Sequence, residues 1–335
     1  MNLKQRYLNF VLCVIVVSSL LVTACSKTPE TSILPGSRTL LDAHNCYPYN
    51  GEWEDRIDRA LETGVPLAIE QDLVWYTDSL SGESWSIISH GSPYSGEEPA
   101  LRNYFFERIR PIVKEAIHNE NKEDWPLIIL NLDFKTNEPE HHVEIWELLG
   151  EYEGWLCTAE RVSDMRKIMP IEVRPVLVLT GRSDEQQLIF HDLVNIGEKL
   201  RLFGAVHTYG DSVEVIPEQM VPHGANNYRR WWNNPWKVVE KGGQQEAEEW
   251  TIEDMKRLQL LAEHAHEFGL WIRFYTLNGH DPNSSLGWSS NYNFGSEEKV
   301  KERWRAVIEA GVDFAATDQY EQFTEFEAQI QGTNK

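Results

Sequence analysis

Four side chains between residues 40 and 90 have the types and spacing to act together on one bound molecule: His44, Glu70, Asp72 and His90. His44 follows the run Leu40-Leu41-Asp42-Ala43, Glu70 and Asp72 lie inside a second apolar run, and His90 follows Ile87-Ile88-Ser89. Residues two apart on a strand share a face, so Glu70 and Asp72 point the same way. Two carboxylates buried side by side resist ionisation unless a cation joins them. The plainer alternative is an ion pair with an arginine elsewhere in the chain. A third run, LIILNLDFKTN from Leu127, puts Asn131, Asp133 and Lys135 on one face near its C-terminal end. Asp133 would complete a trio of oxygen donors, a set that suits Mg2+ or Ca2+ better than Zn2+. Lys135 offers a counter-charge for an anionic oxygen, or merely pairs with Asp133 to close a strand end. Imidazole both accepts and donates protons near neutral pH. Two histidines flanking one divalent cation could take a proton from a nucleophile and return one to a leaving oxygen, as in-line displacement at phosphorus requires. These residues therefore point to a phosphodiester as substrate.

Such a site needs strands that end together. Short apolar runs alternate with longer amphipathic ones, which implies a parallel sheet covered by helices. Strands are expected over 39–43, 66–74, 127–134, 175–180, 203–208, 270–277 and 313–317, and helices over 52–63, 100–119, 138–149, 184–196, 252–268 and 297–310. Seven strands and one obscure one would close a single (β/α) TIM-type barrel over 39–330, with its active site at the C-terminal strand ends. The eighth strand is expected at 154–158 or near 219–221. No glycine-rich fingerprint follows the first strand, which argues against a dinucleotide fold. Residues 222–245 read as a long functional loop. Its Tyr228, Arg229, Arg230, Trp231, Trp232 and Trp236 would form a lid or headgroup pocket, or simply pack the loop down. His264 and His266 are expected on a solvated helix face, His141 and His142 diverging at a helix start, and His207 at a strand end is a further site candidate.

Composition narrows the partners. The 335 residues carry a formal net charge of −22 and no long basic run, which excludes a nonspecific nucleic-acid binder. No feature marks a protein partner. At the N-terminus, Lys4 and Arg6 precede an apolar run over 10–22 and then Thr23-Ala24-Cys25. This resembles a bacterial lipoprotein signal: a signal peptide over 1–24, a lipid on Cys25, and a Ser-, Thr- and Pro-rich flexible tether over 25–38. Lipidation would hold the protein at the cell-envelope membrane by its acyl chains without a basic surface. Cys46 and Cys157 are then left, and whether they pair stays open.

At His44, Ile69-Glu70-Gln71-Asp72, His90 and Asp133-Phe134-Lys135 the chain resembles the PLC-like phosphodiesterase superfamily. That superfamily includes glycerophosphodiester phosphodiesterases, phosphatidylinositol-specific phospholipases C and sphingomyelinase D-type toxins. Phe274-Tyr275-Thr276-Leu277-Asn278 and Gly311-Val312-Asp313-Phe314-Ala315-Ala316-Thr317-Asp318 are similar to its two closing strands. The resemblance implies a metal-dependent phosphodiester hydrolase or lyase on a (β/α) barrel. It implies one divalent cation on Glu70, Asp72 and Asp133, an acid/base pair of His44 and His90, and substrate contacts from Asn45, Lys135 and Tyr275. Asn45 and His90-Gly91 depart from the glycerophosphodiesterase pattern, and the His90-Gly91 form and the Asp133-Phe134-Lys135 strand lean toward the other two branches, so the headgroup is expected to be phospholipid-derived or of glycerophospho or inositol type. The rival readings are a ligand-binding lipoprotein that keeps the barrel without turnover, and a glycoside hydrolase using paired carboxylates.

Overall fold

Runs rich in Leu, Ile and Val bury both faces when helices cover a sheet, and in the computed structural model such runs close into an eight-stranded ring together with shorter or more polar segments. It describes residues 33–49, 52–120, 122–283 and 292–333. The expected signal peptide, the lipid attachment at Cys25 and tether residues 25–32 lie outside the described residues. The strands of the main sheet are β1 (Leu40–Ala43), β2 (Leu67–Thr77), β3 (Ser84–Ile88), β4 (Ile128–Phe134), β5 (Val176–Thr180), β6 (Phe203–Ala205), β7 (Arg229–Pro235), β8 (Trp271–Tyr275) and β9 (Phe314–Thr317). All except β3 run parallel around the ring, and β1 closes it by pairing with both β2 and β9. β3 stands outside, antiparallel to the distal half of β2, from Leu73 opposite Ile88 to Thr77 opposite Ser84. The expected (β/α) barrel is therefore the observed fold.

The principal helices between or after the strands are α1 (Arg56–Glu62), α2 (Glu107–Asn119), α3 (Pro139–Glu151), α4 (Ile252–Glu267), α5 (Glu297–Glu309) and α6 (Tyr320–Thr333). Two of them start where polar caps dictate. Thr251 and Asp254 form a reciprocal capping box ahead of α4, and the Ser296 hydroxyl accepts from the Lys299 N–H at the start of α5. The units after β5 and β6 are abbreviated to a short helix from Asp184 and a single turn at Pro217–Met220.

Alternation along each strand sorts the interior into layers. Leu40, Ala68, Ile129, Leu177, Trp231, Trp271 and Phe314 form an apolar floor. Their neighbours Leu41, Ile69, Leu130, Val178, Trp232, Ile272 and Ala315 face the helices. Two residues above the floor the inward positions turn polar, with Asp42, Glu70, Asn131, Asn233 and Arg273. Two further on stand His44, Asp72, Asp133 and Tyr275.

The eighth ring strand is β7, at neither of the expected places. Leu156 makes only an isolated bridge to Val176, and Gln219 lies in the Pro217–Met220 turn. β7 reads RRWWNNP and lacks a strand's apolar alternation. Its arginines find their partners inside the protein instead. Arg229 donates to the carbonyls of Ala205 and Arg182 and pairs with Asp184, and Arg230 donates to the Met169 carbonyl. The stretch 222–245 is thus not one loop, and its aromatics form no lid. Trp231 belongs to the floor, while Tyr228, Trp232 and Trp236 are buried in the outer core.

The end of the expected tether is also fixed. The Trp271 indole donates to the Ile33 carbonyl, the Gly36 N–H to Asp313, and Arg38 to the carbonyls of Asp124 and Pro126. His264 is not solvated: it is buried, with Nε2 2.8 Å from the Val221 carbonyl, and His266 pairs with Asp313. Nor do His141 and His142 diverge toward solvent. Both are buried, with their rings against Phe134. Cys46 and Cys157 are buried free thiols.

Candidate active site

His44 sits immediately beyond β1. Its N–H donates to the Thr317 carbonyl, and its own carbonyl accepts from the Tyr320 hydroxyl at 2.7 Å. Asn45 then turns the chain with φ +51°, a left-handed conformation that asparagine tolerates better than most residues. The His44 ring is thereby fixed with Nδ1 2.8 Å from Asp318 Oδ1 and Nε2 3.4 Å from Glu70 Oε2. Nδ1 faces the Asp318 carboxylate and also lies 2.7 Å from the Asn45 amide nitrogen, while Nε2 is turned toward Glu70. Asp318 is itself held by Asn278, which donates to one carboxylate oxygen at 2.9 Å and accepts from the Asp318 N–H at 2.7 Å. This is the arrangement of a proton-transfer base positioned by a third group. Burial works to lower the His44 pKa, but the carboxylates of Glu70 and Asp318 outweigh it and hold the value above that of an ordinary histidine.

Glu70 and its neighbours form a buried charge cluster. The Arg273 guanidinium, 2% exposed, donates to Glu70 Oε2 at 2.8 Å, to Asn233 Oδ1 at 3.1 Å and to Asp42. The structural alternative weighed for Glu70, an arginine partner, is thus present. Burial alone would raise the Glu70 pKa, yet His44, Arg273 and Lys135 together hold it well below the usual carboxylate range.

Asp72, 1% exposed, lies one layer higher. Its Oδ2 accepts from the Tyr47 hydroxyl at 2.6 Å and from Lys135 Nζ at 2.9 Å, while its Oδ1 is buried without a hydrogen-bond partner. Burial and then the Asp133 charge push its pKa well up. Asp133 stands beside it in register across β2 and β4, with Oδ2 2.6 Å from Lys135 Nζ. Glu70, Asp72 and Asp133 each present an oxygen within 4.8 Å of the others. A hard divalent cation with ligand distances of about 2.3–2.6 Å spans donors up to roughly 5 Å apart. The donor chemistry, the spacing and the orphaned Asp72 oxygen all fit such an ion.

His90 follows β3, and the hairpin is tied down by the Ser89 N–H donating to the Asp72 carbonyl at 3.0 Å. The residue is exposed at the cavity edge, its ring set edge-on to Tyr49. Partial burial of the ring and then Lys135 lower its pKa. His44, Asn45, Glu70, His90, Asp133, Lys135, Arg273 and Tyr275 line one cavity of about 500 Å³. Asp72 lies just behind its wall. A second cavity of about 720 Å³ shares Asp133, Asn233, Tyr275 and Tyr292 with the first and extends it past the ends of β5, β6 and β7.

The expected site residues are thus brought to one place, apart from Cys25, which lies outside the described residues. The Asn45 amide is spoken for by Asp318 and the Tyr47 hydroxyl. His207, the remaining strand-end candidate, pairs with the exposed Asp184 and lines neither cavity. Sequence reasoning missed Asp42 and Arg273, although each stands two residues before a named candidate, His44 and Tyr275, on the same strand face. It quoted Asn278 and Asp318 without a role. Tyr47 carried no signal of its own.

No family model matches the chain, and neither does any curated protein. Among solved structures, it is similar to a glycerophosphoryl diester phosphodiesterase from Parabacteroides distasonis, at 13% identity over 89% of this chain and 87% of that one, with a TM-score of 0.42. It is similar to a calcium-dependent phosphoinositol-specific phospholipase C from Pseudomonas sp., at 14% identity over 87% and 92%, with a TM-score of 0.48. It is also similar to the HPPK-DHPS of Plasmodium falciparum, at 11% identity over 89% of this chain and 49% of that one, with a TM-score of 0.44.

Proposed function

We propose that this protein is a divalent-cation-dependent phosphodiesterase acting on a phospholipid-derived, glycerophospho or inositol-type headgroup, and that a lipid on Cys25 holds it at the bacterial cell envelope. One observation carries the enzymatic reading. His44, oriented by Asp318, faces the same cavity as Glu70 and Asp133, and three carboxylate oxygens converge there within 4.8 Å. Glu70, Asp72 and Asp133 hold the cation. A bound Mg2+ or Ca2+ supplies positive charge to nonbridging phosphate oxygens as negative charge develops on them.

The chain's own groups do the rest. Lys135 lines the cavity and donates to a phosphate oxygen. Nε2 of His44 moves a proton on one side of the phosphorus, and His90 moves one on the other. Tyr275 borders the headgroup, and the adjoining cavity gives that headgroup room. Arg273 stays with Asp42 and Glu70 and keeps the charge cluster assembled.

The test is a panel of phosphodiesters assayed with and without a chelator, for the native protein and for His44→Ala. The substitution is expected to lower kcat by about 10²- to 10⁴-fold. Full turnover in chelator removes the cation from the reading, and an absence of turnover on every diester with Mg2+ and Ca2+ removes the reading itself.

A further inference from the structure

The carboxylate trio already holds a positive charge of the protein's own. Lys135 Nζ is 2.9 Å from Asp72 Oδ2 and 2.6 Å from Asp133 Oδ2, two of the three carboxylates that fit a divalent ion. The two carboxylates are rigidly placed, because Asp72 and Asp133 are register partners on adjacent ring strands. The lysine backbone is fixed as well, its N–H donating to the Leu73 carbonyl at 2.8 Å. Only the lysine stem is free to swing. Its side chain is 25% exposed and lines the cavity, so there is space for the ammonium to enter.

An ammonium bonded to both carboxylates and a divalent ion coordinated by them draw on the same negative charge. They also repel across a few ångströms of poorly screened interior. Lysine is a compact charge on a flexible stem, able to leave one set of partners for another, where a planar guanidinium would be held.

We propose that Lys135 is an internal competitor for the divalent-cation site. In the cation-free protein it neutralises Asp72 and Asp133. Entry of the cation expels its ammonium into the cavity, where the proposed substrate phosphate is received. Occupancy of the trio and readiness of the lysine are thereby one event. The inference rests on the proposed function for the cation site only, and its test reads binding, not turnover.

Mg2+ and Ca2+ are titrated calorimetrically into the full chain and into Lys135→Met, which keeps the stem and removes the charge. The variant is expected to bind at least tenfold more tightly, and to gain more melting temperature from the cation than the native protein does. Equal or weaker affinity in the variant, or binding by neither protein, overturns the inference. A second measurement needs no variant. Acylation of the Lys135 amine by limiting acetic anhydride, followed by peptide mass spectrometry at constant ionic strength, is expected to speed up several-fold when the cation is added. An unchanged or slower rate overturns the inference even if Lys135→Met fails to fold. Competition seen in a protein that cleaves no diester would sink the proposed function and leave this inference standing.

Discussion

Arg273 is the residue on which the buried charges depend. Its guanidinium joins Asp42 and Glu70, and all three side chains are nearly inaccessible to water. Removing one partner of a buried ion cluster leaves uncompensated charge in a medium that solvates it poorly. Arg273→Met is therefore expected to destabilise the protein by about 3–5 kcal/mol at neutral pH, as read from denaturant midpoints. A loss too small to resolve would mean that the cluster is not held by the arginine. At this scale the period-two rule made much of the site legible. It put Glu70 with Asp72, and Asp133 with Lys135, and it would have delivered Asp42 and Arg273 had it been applied two residues upstream of His44 and Tyr275. It could not show that Arg273 and Asp42 are partners, because that depends on closure of the ring, which brings β8 and β1 onto either side of β9. The Tyr47 contact with Asp72 comes from a turn outside any strand and left no periodic trace.

Two elements decide whether the barrel is understood correctly. β7 was legible only as an aromatic loop, because its arginines find partners within the protein and mask the strand pattern. The two readings of Trp231 differ in energy. On a surface loop its truncation costs little, whereas on the barrel floor, at 1% exposure with its indole donating to the Thr180 carbonyl, it leaves a large hole. Trp231→Ala is expected to cost about 3–5 kcal/mol in chemical denaturation; a cost near zero would return the segment to a loop. The start of α3 makes a different demand. Burial pushes the His141 pKa down to about 3, and His142 beside it is lowered for the same reason. A folded pKa below the unfolded one means that unfolding takes up protons. The contribution to stability is thus intact above about pH 6.5 and shrinks as pH falls toward the folded value, by up to about 1.4 kcal/mol per pH unit for each histidine. His141→Phe is expected to flatten the slope of stability against pH between about 6.5 and 4.5, as measured by denaturation at several pH values. An unchanged slope would show that the imidazole is already protonated in the fold.

The whole molecule carries a net charge of −22, yet it gathers Lys135 and Arg273 at the site proposed for an anionic substrate. The long-range field repels what the cavity attracts. Exposed charges are screened over about 8–10 Å at physiological ionic strength, so salt should weaken the distant repulsion more than the contacts inside. With saturating divalent cation, kcat/KM for an anionic diester is expected to rise between low and physiological ionic strength, as measured in initial rates. A steady fall with salt would mean that a local positive field steers the approach instead. The barrel as a class was legible in the alternation of runs, because parallel strands buried on both faces leave continuous apolar stretches; the helical segment after β5 lies within the expected 184–196, whereas the unit after β6 was not legible, since a single turn carries no period. The apolar floor has one more consequence. With Trp231, Trp271 and Phe314 filling the base of the barrel, the two adjoining cavities lie on the opposite side, at the C-terminal strand ends. In the proposed reaction the substrate enters and both fragments depart on that side, so whichever fragment lies deeper leaves last.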